Sequence, residues 1–97
     1  MHRFQGLAEV EAAIGTPLGH SEWHAITQAE IDIFADATHD HYWIHTDPEK
    51  AKDGPFGGTI AHGFLTLSHV PMFIQEVYAI DGLSMMLNYG LNKVRFT

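Results

Sequence analysis

Hydrophobic side chains recur at helical spacing near the start of the chain. Leu7, Val10 and Ile14 share one face of a short segment, and Gly15 and Pro17 come next. Apolar residues three and four positions apart are typical of an amphipathic helix, which glycine and proline end. The pattern therefore predicts a short opening helix before Gly15.

A second helix is predicted with a defined start. Thr27 and Glu30 stand three positions apart, as in a capping box, in which each side chain bonds the backbone N–H of the other residue. Ile31, Phe34 and Ala35 then form one apolar face, and the pattern is lost in the polar cluster that follows. We expect the helix to begin directly after Thr27 and to end before that cluster.

Two further helices are predicted downstream. Asp47 and Pro48 combine a good N-cap residue with a good first helical residue, which indicates a short helix. In the segment 63–78, apolar side chains occur on nearly all sides, so we predict a long central buried helix that Pro71 bends. Its predicted core residues are Phe64, Leu65, Leu67, Met72, Phe73, Ile74 and Val77.

Two segments favour strands, 20–26 and 85–97. In the second, Leu91 and Val94 belong to a partial alternation of β-forming residues. Helices and strands together indicate an α+β class, but two strands cannot enclose a helix that is apolar on all sides. We therefore expect residues 1–97 to form one domain that lacks part of its sheet.

Composition narrows the possible functions. The chain has 97 residues, no cysteine, and five Lys and Arg against twelve Asp and Glu, for a formal net charge of −7. Without cysteine, a disulfide scaffold and thiolate chemistry are excluded. An acidic chain lacks the positive field that attracts nucleic acids or anionic membranes, so we expect small molecules or proteins as partners. We find no signal-peptide pattern and expect a cytoplasmic location.

The eight histidines exceed ordinary usage, and three of them lie in the run HDHYWIH at 39–45. Asp40 and His45 are five positions apart in a segment that does not look helical, a separation that can place a carboxylate and an imidazole on either side of one water. Such a pair suits proton transfer. The same spacing also fits a structural role, in which Asp40 caps a turn and His45 makes ordinary hydrogen bonds.

Gly63 stands at the entrance to the predicted central helix. Its amide would lie at the positive end of the helix dipole, and the missing Cβ would let a carbonyl oxygen approach closely. Gly63 is therefore a candidate oxyanion donor. The alternative is a glycine that only lets the helix pack closely.

Three runs of residues together resemble one family: FADATHDHYWIHTDP at 34–48, GPFGGTIAHG at 54–63 and YGLNKVRF at 89–96. Over nearly the whole chain the sequence resembles the MaoC-like dehydratases, also called (R)-specific enoyl-CoA hydratases, and among them the NodN-like, 3-hydroxyacyl-thioester dehydratase branch. The resemblance implies a hot-dog fold, in which an antiparallel sheet wraps around a long helix at about 63–78. It also implies a homodimer.

The resemblance further implies an activity and a site. Such enzymes reversibly add water to a trans-2-enoyl thioester of CoA or an acyl-carrier protein, which gives the (R)-3-hydroxyacyl product. Asp40 and His45 would hold and activate the water, and the amide of Gly63 would bind the thioester oxygen. The residues expected beside the substrate are Tyr42, Trp43, Phe56 and His62. No metal or redox cofactor is implied.

Two features depart from the family pattern. Tyr42 and Trp43 stand where the hydratase motif commonly has Asn-Pro, so a preference for acyl length is not transferred. Family members are also longer, and their additional C-terminal part supplies most of the sheet strands. We therefore expect residues 1–97 to be a partial hot-dog domain.

Three other functions remain open. A metal site could use His41 and His45 with a neighbouring aspartate. That segment does not look helical, however, and the hydratase motif already uses Asp40 and His45. The second alternative function is that of a hot-dog thioesterase. Such enzymes use an Asp or Glu on the central helix, however, and the segment 63–75 has neither. The third is a non-catalytic acyl-thioester-binding or dimerisation module.

Overall fold

Helices and short strands alternate along residues 1–97, all of which are described by a computed structural model. In chain order the elements are β1 (His2–Gln5), α1 (Leu7–Ala12), α2 (Gln28–Thr38), α3 (Trp43–Thr46), α4 (Pro48–Ala51), α5 (Gly63–Ser68), α6 (Val70–Val77) and β2 (Tyr78–Asp81). The predicted mixture of helix and strand is confirmed. None of the helices combines the length and the apolar character needed to cross a membrane.

The helix α2 begins and ends where its sequence pattern predicts. The Oγ1 of Thr27 accepts a hydrogen bond of 3.2 Å from the backbone N–H of Glu30, which satisfies one of the free donors of the first turn. Ile31 and Ala35 are buried, as the apolar face requires. The helix ends at His39, whose φ of 64° is left-handed and turns the chain into the polar cluster.

The short helix α4 is confirmed, but the helix α3 before it was not predicted. Asp47 accepts a hydrogen bond of 3.1 Å from the backbone N–H of Lys50, and Pro48 is the first helical residue. The expectation that the segment before Pro48 is non-helical is wrong, since the Asp47 N–H bonds the Trp43 carbonyl at 3.1 Å and closes a helical turn. A single turn has too few residues to show a hydrophobic period.

The predicted single helix over 63–78 is wrong in its continuity. The chain forms α5 and α6 instead, with His69 between them. Pro71 has no N–H to donate to the Leu67 carbonyl, and it lies in the first turn of α6, where a missing N–H breaks no intrahelical bond. The segment therefore breaks at His69 into two helices, with Pro71 as the second residue of α6, rather than bending as one continuous helix.

The predicted core of this segment is also only partly correct. Leu65 is buried, with 7% of its surface exposed, whereas Phe64 is 69% exposed. The other predicted core residues of the segment are half-buried. The reason is that no multi-stranded sheet encloses these helices, so each has a solvent-facing side.

The sheet differs from the prediction as well. It has two strands, β1 and β2, which pair in parallel from His2 opposite Tyr78 to Gln5 opposite Asp81. The predicted strands over 20–26 and 85–97 are wrong, because neither segment bonds to a neighbouring strand, which is what defines one. The antiparallel sheet of a hot-dog fold is not formed by these residues and stays a prediction.

The residues group into two compact units. Residues 1–22 and 71–97 form one unit, and residues 23–70 form the other. All residues that the sequence assigns to the functional site lie within 23–70. The single domain over 1–97 stays a prediction.

Candidate active site

The imidazole of His45 is held by a backbone carbonyl from another segment. Its Nδ1 lies 2.7 Å from the carbonyl oxygen of Ile60, and the side chain is part-buried. A carbonyl can only accept, so Nδ1 carries the proton and donates it to this bond. In the neutral ring, Nε2 is then the atom with the free lone pair, which a general base requires.

A second imidazole, that of His62, lies against the first. The two rings stack with centroids 4.0 Å apart and planes 22° apart. His62 is 2% exposed, and Phe34 also packs on it at a centroid distance of 4.9 Å. Its Nε2–H donates to the Asp40 carbonyl at 3.0 Å, while its Nδ1 is buried without a hydrogen-bond partner. His62 thus contacts both residues of the predicted Asp and His pair.

The carboxylate of Asp40 lies at the open side of this cluster. It follows the left-handed His39, and its side chain is 55% exposed. The Oδ1 atom is 3.4 Å from the backbone nitrogen of Tyr42, and Oδ2 is 3.9 Å from Nε2 of His62. One polar atom from each of Asp40, His45 and His62 lies within 4.8 Å of the others. The structure therefore brings together one carboxylate and two imidazoles next to solvent.

Two imidazoles and a carboxylate are also a common metal-ligand set, but the ring geometry opposes it. A metal binds in the plane of each imidazole at about 2.0–2.1 Å from nitrogen. The rings of His45 and His62 stack with centroids 4.0 Å apart and planes only 22° apart, so a single ion at bonding distance from both rings would not lie in both ring planes. His45 Nδ1 and His62 Nε2 donate to backbone carbonyls, which leaves His45 Nε2 and His62 Nδ1 as the ring nitrogens with a lone pair. The arrangement favours hydrogen bonding over metal ligation.

Gly63, the candidate oxyanion donor, is the first residue of α5, and His62 is its N-cap. The carbonyl of His62 accepts the first helical bonds, from the N–H groups of Leu65 and Thr66. The Gly63 amide precedes these donors and has no acceptor one turn before it within the helix. Gly63 directly follows His62 in the chain, so this amide belongs to the residue next to one of the three clustered side chains.

Of the three aromatic residues predicted to shape a substrate pocket, two are mainly exposed to solvent and one is half-buried. Tyr42 and Phe56 are 58% and 60% exposed. Trp43 is half-buried, with Lys50 Nζ 4.7 Å from its ring centroid. It also packs against Gly54, where an added Cβ would lie 3.2 Å from the indole. A groove of about 690 Å³ lies in the other unit, among residues of 71–80 and 86–90, and contains none of the predicted site residues.

Sequence reasoning missed a polar residue that supports His45. Gln28, the first residue of α2, donates from Nε2 to the His45 carbonyl at 2.7 Å. Its Oε1 accepts from the hydroxyl of Thr59 at 2.6 Å. The capping box located this residue at a helix start, but nothing in the local pattern indicates partners 17 and 31 positions away.

Comparison with known proteins agrees with the resemblance. Residues 9–97 match the family described as the MaoC like domain. The chain is 53% identical over 96 residues to 3-hydroxyacyl-thioester dehydratase Z of Mycobacterium tuberculosis (strain H37Rv). The aligned region covers 99% of this chain and 64% of that protein. It is 54% identical to nodulation protein N of Rhizobium leguminosarum bv. viciae and 46% identical to that of Rhizobium meliloti, covering 60% of each. The chain thus spans less than two thirds of these relatives' lengths.

Proposed function

The chain belongs to the MaoC-like domain family, and on that premise we propose that it contains the catalytic residues of a hydro-lyase that acts on acyl thioesters. The reaction is the reversible addition of water to a trans-2-enoyl thioester, which gives the (R)-3-hydroxyacyl thioester. The observation that supports this most directly is that polar atoms of the exposed Asp40 and of His45, whose Nδ1–H bonds the Ile60 carbonyl, lie within 4.8 Å of each other. Relatives named 3-hydroxyacyl-thioester dehydratase support the same reaction class.

In the proposed mechanism, a water lies between Asp40 and His45. The Nε2 lone pair of His45 accepts a proton from this water as its oxygen bonds to Cβ of the substrate. The electron pair of the C=C bond moves toward the thioester oxygen, and a proton delivered by the Asp40 and His45 pair then bonds to Cα. Substrate and water are consumed in equal amounts, so no oxidant or reductant is needed.

The negative charge that develops on the thioester oxygen requires a donor. The amide of Gly63 is proposed for this role, because a backbone N–H without an intrahelical acceptor can bond the oxyanion without rearranging. The half-buried position of Gly63 next to His62 supports the assignment.

The substrate is proposed to be a CoA or acyl-carrier-protein thioester, with Tyr42, Trp43, Phe56 and His62 beside it. The proposed chemistry needs no metal or redox cofactor. A homodimer, a hot-dog architecture and a cytoplasmic location stay predictions. The thioesterase alternative is less well supported, because the segment 63–75 has no carboxylate.

The test is hydration of crotonyl-CoA by the 97-residue chain, with the mycobacterial relative as positive control. We expect Asp40→Asn and His45→Ala each to lower kcat by about 100-fold or more, since general acid–base groups typically contribute 10²–10⁴-fold. Asp53→Asn and His20→Ala are matched controls on exposed residues outside the site, and we expect both to retain activity.

Equal turnover by the wild type and both site variants would contradict the mechanism. A folded chain that binds crotonyl-CoA without hydrating it, under conditions in which the relative is active, would instead support a non-catalytic acyl-thioester-binding module.

A further inference from the structure

The side-chain amide of Gln28 joins two segments that are distant in sequence. Its Nε2 donates to the His45 carbonyl at 2.7 Å and to Asp32 Oδ1 at 3.0 Å. Its Oε1 accepts from the Thr59 hydroxyl at 2.6 Å. Both amide ends are therefore bonded, and the bonds to His45 and Thr59 are part-buried, where water competes less.

The segments that Gln28 joins are the same two that hold the His45 ring. Thr59 directly precedes Ile60, whose carbonyl accepts the Nδ1–H of His45 at 2.7 Å. The N–H of Ile60 in turn donates to the carbonyl of Ile44 at 3.0 Å. Gln28, His45, Ile60 and Thr59 thus form a closed ring of hydrogen bonds and covalent backbone. The Gln28 contacts thus connect the His45 backbone to the residue before the carbonyl that bonds its ring.

We propose that Gln28 is a positioning residue that keeps His45 in its Nδ1–H tautomer. By holding the His45 backbone and Thr59 at a fixed separation, it keeps the Ile60 carbonyl within reach of Nδ1. The proton then stays on Nδ1, and Nε2 keeps the lone pair. The catalytic consequence rests on the proposed function, whereas the tautomer itself does not.

The donor pattern identifies the variant that tests this role. The His45 carbonyl and the Asp32 carboxylate only accept, so the –NH₂ end of Gln28 must face them. Gln28→Glu has nearly the same shape but, when ionised, places an oxygen without a proton against both acceptors. Thr59→Val removes only the hydroxyl that donates to Gln28. Gln75→Glu makes the same chemical change at an exposed position of α6 and is the matched control.

The first measurement is ¹⁵N NMR of the His45 imidazole in the full 97-residue chain, at a pH where the ring is neutral. We expect the wild type and Gln75→Glu to show the proton mainly on Nδ1. We expect Gln28→Glu and Thr59→Val to show a mixture of the two tautomers. If Gln28→Glu fails to fold by circular dichroism, Thr59→Val decides. A folded Gln28→Glu protein that shows the wild-type tautomer would overturn the inference. If only Thr59→Val folds, the wild-type tautomer in that variant would overturn it.

The second measurement is the kinetics of crotonyl-CoA hydration. We expect Gln28→Glu to lower kcat by about 10- to 100-fold with little change in KM, because a small misplacement of a catalytic group costs rate rather than binding. An unchanged kcat in an active enzyme would overturn the positioning role. The wild-type chain could lack hydration activity while the His45 tautomer still depends on Gln28. That result would contradict the proposed function and leave the positioning of His45 supported.

Discussion

The ring of His62 contacts both members of the proposed catalytic pair. It stacks on His45 and donates to the Asp40 carbonyl, and Phe34 also packs on it. Its buried Nδ1 has no hydrogen-bond partner, which is costly for a polar atom removed from water. Its other nitrogen and its ring face contact Asp40 and His45, so the ring holds both residues in place.

Truncation of this ring should therefore lower stability as well as activity. We expect His62→Ala to lower the free energy of unfolding by about 2–3 kcal/mol, from the lost ring contacts and the lost bond to Asp40. Urea denaturation measures the change. His20→Ala, at an exposed position, should change it by less than about 0.5 kcal/mol. Equal losses in the two variants would contradict the central position of His62.

At the scale of elements, α2 supports the site through its first turn. Thr27 caps the helix at its N–H end, and the next residue is Gln28, whose amide holds the His45 backbone. The capping residue Thr27 and the supporting residue Gln28 are adjacent in sequence, so fraying of the first turn of α2 would displace both side chains. Loss of the cap is therefore expected to affect His45 as well as the helix.

We expect Thr27→Ala to destabilise the chain by about 1 kcal/mol, the usual cost of removing an N-cap hydroxyl. Thermal or urea unfolding monitored by circular dichroism measures this. Thr16→Ala is the control, since Thr16 is exposed and precedes no helix. If the two variants lose the same stability, the hydroxyl of Thr27 is not a stabilising cap.

At the scale of the whole molecule, the chain exposes many large apolar side chains. Trp23, Ile14 and Leu87 are 100%, 81% and 81% exposed, although hydrophobic residues make up 45% of the sequence. Large exposed apolar area in a protein commonly marks an association surface. A net charge of −7 opposes non-specific aggregation but leaves a specific apolar contact possible.

We therefore expect the 97-residue chain to self-associate, with a homodimer as the smallest stable species. Sedimentation equilibrium at several protein concentrations measures its mass. Apolar contacts should persist when salt screens charge, so raising the ionic strength should not dissociate the dimer. A monomer at all concentrations would contradict the prediction.

Features that depend on neighbouring residues were predictable from the sequence. The start of α2 at Thr27 follows from a side chain that bonds an amide three residues ahead, and Asp47 with Pro48 starts α4 in the same way. The proximity of Asp40 and His45 was likewise suggested by a separation of five residues. In each case the interacting groups are so close along the chain that few conformations separate them.

Features that depend on distant residues became visible through the folded chain alone. His45 and His62 bond carbonyls 15 and 22 positions away, and Gln28 and Thr59 are 31 positions apart. Hydrophobic periodicity indicates which face of an element is buried but not which segment covers it. The local sequence therefore predicts neither these hydrogen-bond partners nor the parallel pairing of β1 with β2. The sequence thus determines the proposed reacting groups and the helix caps, while the hydrogen-bonded surroundings that orient those groups arise from long-range packing.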